Sequence, residues 1–143
     1  MTPQTQPLLL QFSLAMLLAV TASADIDFNR DIRPVLSNNC IACHGPDEKK
    51  IKADLSLDSL AGATKDLGGY AAIVPGDVDE SELIARIIHE DEEERMPPAD
   101  KGKRLGQEEI DLLKRWIAQG AKYDRHWSYQ VPKRPERPKV NHS

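Results

Sequence analysis

Cys40-Ile41-Ala42-Cys43-His44 is the stretch from which the rest of the chain is read. Two cysteines three positions apart, with a histidine directly after the second, form the attachment signature of c-type haem. The chemistry requires this spacing. Each thiol adds to one vinyl group of the porphyrin, and the adjacent imidazole reaches the iron from the proximal side. The chain has 2 cysteines, and both lie here.

Other uses of a Cys-x-x-Cys pair fit less well. A redox-active dithiol of the thioredoxin type wants a preceding strand in a βαβ pattern, and the residues before Cys40 read as a helix. A zinc site wants further ligands at ligand spacing, and no second CxxC or HxxxH pair is present. A disulfide between residues so close in sequence closes too small a loop to stabilise much.

The chain has 143 residues, enough for one domain with appendages. Aromatic residues make up only 5%, which would leave a thin core, and a buried haem would add apolar surface. The first 24 residues contain no Asp, Glu, Lys or Arg. Leu8 to Val20 is a mostly apolar run broken by Gln11 and Ser13. It is short of the roughly 20 apolar residues that a membrane span needs. Ala22 and Ala24 after it fit the small-residue cleavage pattern of a secretory signal, although the leading segment carries no Lys or Arg. Residues 1–24 are therefore expected to be a signal peptide, and the domain to be exported to the periplasm or cell surface. A membrane anchor at residues 8–20 is the alternative if the signal is not cleaved.

The formal charge of −4 falls wholly on the exported part. From Arg125 onward the chain is basic, so the region before it is distinctly acidic and argues against a nucleic-acid partner. The acidic run Glu90 to Glu94 reads as a solvated helix end or loop. Pro132, Pro135 and Pro138 recur every third residue with basic residues between them, the period of a polyproline II linker. The organisation expected is a signal at 1–24, a haem domain at 25–124 and a basic, proline-rich tail at 125–143.

Asp25 to Asn39 reads as an opening helix capped by Asp27, with Phe28, Ile32, Val35 and Leu36 at helical spacing and Pro34 as a kink or restart. It delivers the chain directly to Cys40, as in a class I cytochrome c. Ala53, Leu55 and Leu57 alternate with polar residues and predict a short strand. Gly62 to Tyr70 reads as loop, and Ile73 to Gly76 as a short extended piece closing in a turn. Asp79 to His89 predicts a helix with a capping box from Asp79 to Glu82 and an apolar face of Leu83, Ile84, Ile87 and Ile88. Gln107 to Gln119 predicts another, with Gly106 at the cap, a Leu105–Ile110 staple, an inward face of Ile110, Leu113, Trp116 and Ile117, and Gly120 as its stop.

The chain has 3 methionines, and signal cleavage would remove Met1 and Met16. Met96 is then the one thioether left, in the loop Arg95-Met96-Pro97-Pro98 that proline keeps out of a helix. A proline-flanked loop methionine is a poor choice for core filling, so Met96 is expected as the distal iron ligand. His89, His126 and His142 are the rival ligands. His89 reads instead as a helix C-terminal residue that complements the dipole, and the other two lie in the tail.

The segments Asp27 to Leu36, Cys40 to Asp47, Ile73 to Gly76, Ser81 to Ile84, Arg95 to Pro98, Leu112 to Ile117 and His126 to Gln130 resemble the planctomycete-type cytochrome c domain. The resemblance runs over about residues 25 to 130. It implies a mainly α, small class I-like cytochrome c domain, with about three main helices around a covalently attached haem, short extended segments and long loops. Carried over to this sequence, Cys40 and Cys43 hold haem c, His44 is the proximal and Met96 the distal ligand of its one iron. The family's domain usually opens a longer protein, and this sequence departs from it by ending after the tail, which leaves open a truncated gene, a fragment of a longer form with downstream domains or a free-standing version.

One-electron transfer to and from a protein redox partner is the function expected, without enzymatic turnover, because an iron held by His and Met has no open position. Packing of Phe28, Leu36, Ile84, Ile88, Leu113 and Trp116 is expected to keep water off the porphyrin. The alternatives are a haem-based redox or gas sensor, with Met96 weakly bound and displaceable, and a non-haem dithiol oxidoreductase.

Overall fold

The computed structural model describes residues 25–125 and Ser128. The expected signal at 1–24 and nearly all of the tail lie outside them. The described residues are mainly helical and contain no strand, only two isolated bridges, Ala71 with Ser81 and Val74 with Asp77.

The first helical stretch begins where Asp27 caps it, its carboxylate accepting from the Arg30 N–H at 2.8 Å. Its opening segment, Phe28–Ile32, is wound as a π-helix, with the Arg33 N–H donating to the Phe28 carbonyl five residues back. It then tightens into α1 (Arg33–Asn39), with Pro34 in the first turn. Proline lacks an N–H and tolerates only a first turn, so the change of winding gives it one. Phe28, Ile32, Val35 and Leu36 are all buried, as their spacing predicts.

α1 runs almost without interruption into α2 (Ile41–His44). The Cys40 N–H still donates to the Leu36 carbonyl at 2.8 Å, and the Cys40 carbonyl already accepts from His44 N–H at 2.9 Å. Gly45 ends this turn, and a Cβ there would stand 2.4 Å from the Ile41 carbonyl oxygen.

The expected strand around Ala53 to Leu57 does not form. Ala53 and Asp54 both take φ near 53°, in the left-handed region, so the chain turns where a strand would extend. Leu57 is nevertheless buried, its N–H donating to the His44 carbonyl at 2.7 Å. The segment read as loop from Gly62 begins inside a helical turn, α3 (Leu60–Ala63), capped by Ser59. Ile73 to Gly76 closes in a turn as expected, with the Asp77 N–H on the Val74 carbonyl at 2.9 Å and Gly76 at φ 90°.

α4 (Glu82–Ile88) is shorter than its periodicity predicts, and Asp79 does not cap it. The cap position falls to Ser81, whose hydroxyl turns inward to donate to the Asp77 carbonyl at 2.6 Å and to accept from the Val74 N–H at 2.9 Å. Asp77, not Asp79, collects the free N–H groups of the approach, those of Asp79 and Glu80. Leu83, Ile84 and Ile87 are buried, whereas Ile88 is 39% exposed, because the helix ends there and its last turn faces outward.

α5 (Gln107–Ala118) fits its sequence closely. Leu105 and Ile110 are both buried at its start, and the Glu109 carboxylate accepts from the Gly106 N–H at 2.9 Å. At its end the Gly120 N–H reaches the Ile117 carbonyl and the Ala121 N–H the Trp116 carbonyl, a Schellman closure that needs Gly120 at φ 95°.

α5 packs against the start of the first helical stretch and against α4. At the first junction the Phe28, Trp116 and Tyr123 rings cluster, with centroids 4.6 to 5.8 Å apart. The Arg33 guanidinium lies 4.9 Å above Phe28. Arg33 also donates to the Asp124 carbonyl, and Asn29 to that of Arg125. The two ends of the domain are thereby fastened to each other. Trp116, 1% exposed, is the largest fully buried side chain among the described residues. Trp116→Ala should cost about 3–5 kcal/mol, as large-to-small changes of a buried aromatic do, read as a lowered urea midpoint.

Candidate functional site

Cys40 stands at the break between α1 and α2, and Cys43 and His44 follow on the single turn of α2. This turn is fixed from the loop after it. Lys52 N–H donates to the Cys43 carbonyl at 2.9 Å, and Leu57 N–H to that of His44. The two thiols and the imidazole therefore project from backbone held on both sides. Cys40 and Cys43 are free thiols.

These side chains open on a cavity of about 350 Å³, a size within the range of small-molecule sites, roughly 300–1,000 Å³. Leu55, Leu57, Leu83 and Ile87 contribute its apolar walls. Met96 reaches the same cavity from the loop after α4, next to Pro97 and Pro98, and the Met96–Pro97 peptide is cis. Met96, far from the Cys40–His44 segment in sequence, thus lines one space with Cys40, Cys43 and His44. His89 does not line it. Its ring Nδ1 accepts from the Asp91 N–H at 3.2 Å on the protein surface. His126 and His142 lie outside the described residues.

The residues expected to shield a porphyrin need correcting. Phe28, Leu36, Ile84, Leu113 and Trp116 are buried but belong to the core behind the site, and Ile88 faces outward. The cavity wall is instead built by Leu83 and Ile87 on the neighbouring face of α4 and by Leu55 and Leu57 from the segment misread as a strand. In α4, periodicity identified an apolar face but could not say which half of it meets the core and which the cavity.

Electrostatics sharpen the picture. Burial, reinforced by the charge of Glu109, pushes the Cys40 thiol up to about 11. The reactive thiol of a dithiol oxidoreductase is shifted the opposite way. His44 Nδ1 is buried and has no hydrogen-bond partner among the described residues, a condition that buried polar atoms rarely show. On α4, Glu82 and Arg86 also line the cavity and pair with each other at 2.8 Å. Glu82 and then Glu94 raise the Arg86 guanidinium above its ordinary value by hydrogen bonding.

Residues 40–100 match the family model of the planctomycete cytochrome C. The match starts at Cys40 and runs past Met96, and it is shorter than the stretch over which the sequence resembles that family. No curated protein and no solved structure matches the chain. A cytochrome c domain implies covalently bound haem and electron transfer. The residues present fit that group: two thiols, an imidazole whose Nδ1 is buried and unpaired, and a thioether converge on one apolar-walled cavity.

The Cys40 shift has a measurable consequence in the haem-free chain. An unfolded thiol ionises near 8.5, so between that value and about 11 the folded form keeps a proton that the unfolded form has lost. The stabilisation is complete below the unfolded value and is lost as pH rises toward 11. Urea titrations should show wild type losing about 3 kcal/mol as pH rises through this window, and Cys40→Ala losing correspondingly less.

Proposed function

We propose that the planctomycete-type cytochrome c domain carried by this chain binds one haem c through Cys40 and Cys43, ligates its iron with His44 and Met96, and transfers single electrons. The observation that carries this reading is the convergence of both thiols, the imidazole and the thioether on one cavity. Bound haem supplies a one-electron ferric/ferrous couple.

Each residue has a distinct task. Cys40 and Cys43 form the thioether bonds, Cys40 from the cap position of α2 and Cys43 from its single turn, and both line the cavity. His44 ligates from a backbone fixed by the Leu57 N–H. Met96 ligates from the opposite loop, whose backbone is fixed where the Met96 N–H donates to the Arg86 carbonyl at 3.0 Å. Leu55, Leu57, Leu83 and Ile87 exclude water, which keeps reorganisation on electron transfer small. With His44 and Met96 both holding the iron, no position would be left for a substrate, and the domain would carry electrons without turnover.

The domain works outside the cytoplasm, in the periplasm or at the cell surface, where c-type haem is attached. The apolar leader supports this, and residues 8–20 would hold it to a membrane only if they are retained. Among the described residues no helix is long and apolar enough to cross a membrane. A protein redox partner meets the exposed edge of the cavity, where Tyr70 is 48% exposed and Lys101 reaches solvent.

Expression with a haem-maturation system should give a covalent, low-spin c-type spectrum. Its ferric form should show the weak near-infrared band of sulfur bound to iron. Met96→Ala should abolish that band and lower the reduction potential by on the order of 0.1–0.2 V, a fraction of the roughly 0.8 V that axial ligands span. A ferrous protein that is high-spin and shifts on adding carbon monoxide would instead mark a gas sensor. His44→Ala should lose the low-spin spectrum altogether.

A further inference from the structure

Among the described residues, the hydrogen bonds that fasten the loop carrying Met96 to α4 run through Arg86. Its guanidinium is gripped on its own helix by Glu82, with Nε donating to Oε1 at 2.8 Å. Across the loop, Nη1 donates to the Glu94 carbonyl at 3.3 Å and to the Glu94 carboxylate. The Arg86 backbone carbonyl then accepts the Met96 N–H at 3.0 Å. One residue therefore holds the loop at Met96 itself and two positions before it. Arg95, between these two anchors, is 8% exposed, and its Nη2 donates to Glu92 while its N–H donates to the Asp91 carbonyl.

We propose that Arg86 is the positioning residue for the Met96 thioether, with Glu94 of the acidic run as its counter-charge on the loop. The inference rests on the reading of Met96 as an iron ligand. A thioether is a neutral ligand on an unbranched side chain with three rotatable bonds. Its hold on iron depends on how much of the loop's freedom has been removed beforehand, because only pre-organisation raises its effective concentration at the metal. The fork of an arginine suits this task, since separate N–H groups serve Glu82 and Glu94 at once. The acidic run Glu90 to Glu94 is then more than a solvated face: Glu92 and Glu94 pair with the two arginines that frame the loop.

Arg86 is 39% and Glu94 55% exposed at the side chain, so neither holds up the core. The Met96–Arg86 backbone bond survives any substitution at position 86, which isolates the side-chain contribution. The test is a titration of the ferric, haem-loaded protein with imidazole, which competes with Met96 for the iron, followed by loss of the sulfur-to-iron band. Arg86→Gln and Glu94→Gln should each tighten imidazole binding by about two- to fivefold, the scale of a half-exposed charge-assisted pair. Glu94, unlike Arg86, does not line the cavity, so the spectrum of Glu94→Gln without imidazole should be unchanged. The double variant should match Arg86→Gln alone, because Glu94→Gln alters only a contact that Arg86→Gln already removes. Unchanged imidazole affinity in Arg86→Gln overturns the proposal, even if that variant melts at a lower temperature. So do effects that multiply in the double variant. A wild-type ferric protein lacking the band removes Met96 as ligand and this proposal with it, a failure distinct from the other two.

Discussion

The packing of Phe28, Trp116 and Tyr123 into one aromatic cluster is the constraint on which the site depends. It locks the start of the first helical stretch against α5 and the segment after it. Trp116 Nε1 donates to the Lys122 carbonyl and the Tyr123 hydroxyl to the Leu57 carbonyl, so the cluster is also tied to the segment beneath the cavity. With one end of the first stretch fixed, α1 becomes a rigid arm whose far end is Cys40. The Leu36 carbonyl carries that order to the Cys40 N–H, and the Cys40 carbonyl passes it on to His44. A stack of local hydrogen bonds thus converts an apolar contact at one edge into a fixed position for the thiols at another.

The opposite wall is built from weaker material. α4 spans Glu82–Ile88 and rests on the core through Leu83, Ile84 and Ile87. The loop beyond it carries a run of exposed acidic residues before Met96 packs against the core and Pro97 is buried. Its acidic part is tied down by polar contacts, those of Arg86 and Arg95 with Glu94 and Glu92. The two sides of the cavity therefore differ in kind: His44 sits on backbone braced by the core, and Met96 on a loop braced by charge-assisted hydrogen bonds. Charges paired near the surface contribute modestly and are screened by salt, so the acidic part of the methionine loop is held more weakly than the backbone of His44.

Much of this was legible in the sequence, for reasons particular residues make plain. Cys40 to His44 announces a chemistry that tolerates no other spacing. α5 obeys its local signals from the Leu105–Ile110 staple to the Gly120 stop, because nothing in its surroundings competes with them. The misreadings came where tertiary contacts overrode local preference. Ala53 and Asp54 adopt left-handed backbone that neither residue advertises. Ser81 replaced Asp79 at the start of α4 because its hydroxyl is taken by Val74 and Asp77. Which face of α4 lines the cavity, and that Arg86 grips a residue beyond the helix, depend on where the loop returns, which periodicity does not encode.

The central claim is that the Met96 thioether completes the coordination begun by His44. X-ray absorption at the iron edge of the haem-loaded ferric protein tests it most directly, because a sulfur neighbour scatters differently from nitrogen or oxygen. The account predicts five nitrogen neighbours and one sulfur in wild type, with the sulfur lost in Met96→Ala. A wild-type shell of nitrogen and oxygen alone, unchanged by that substitution, would contradict it.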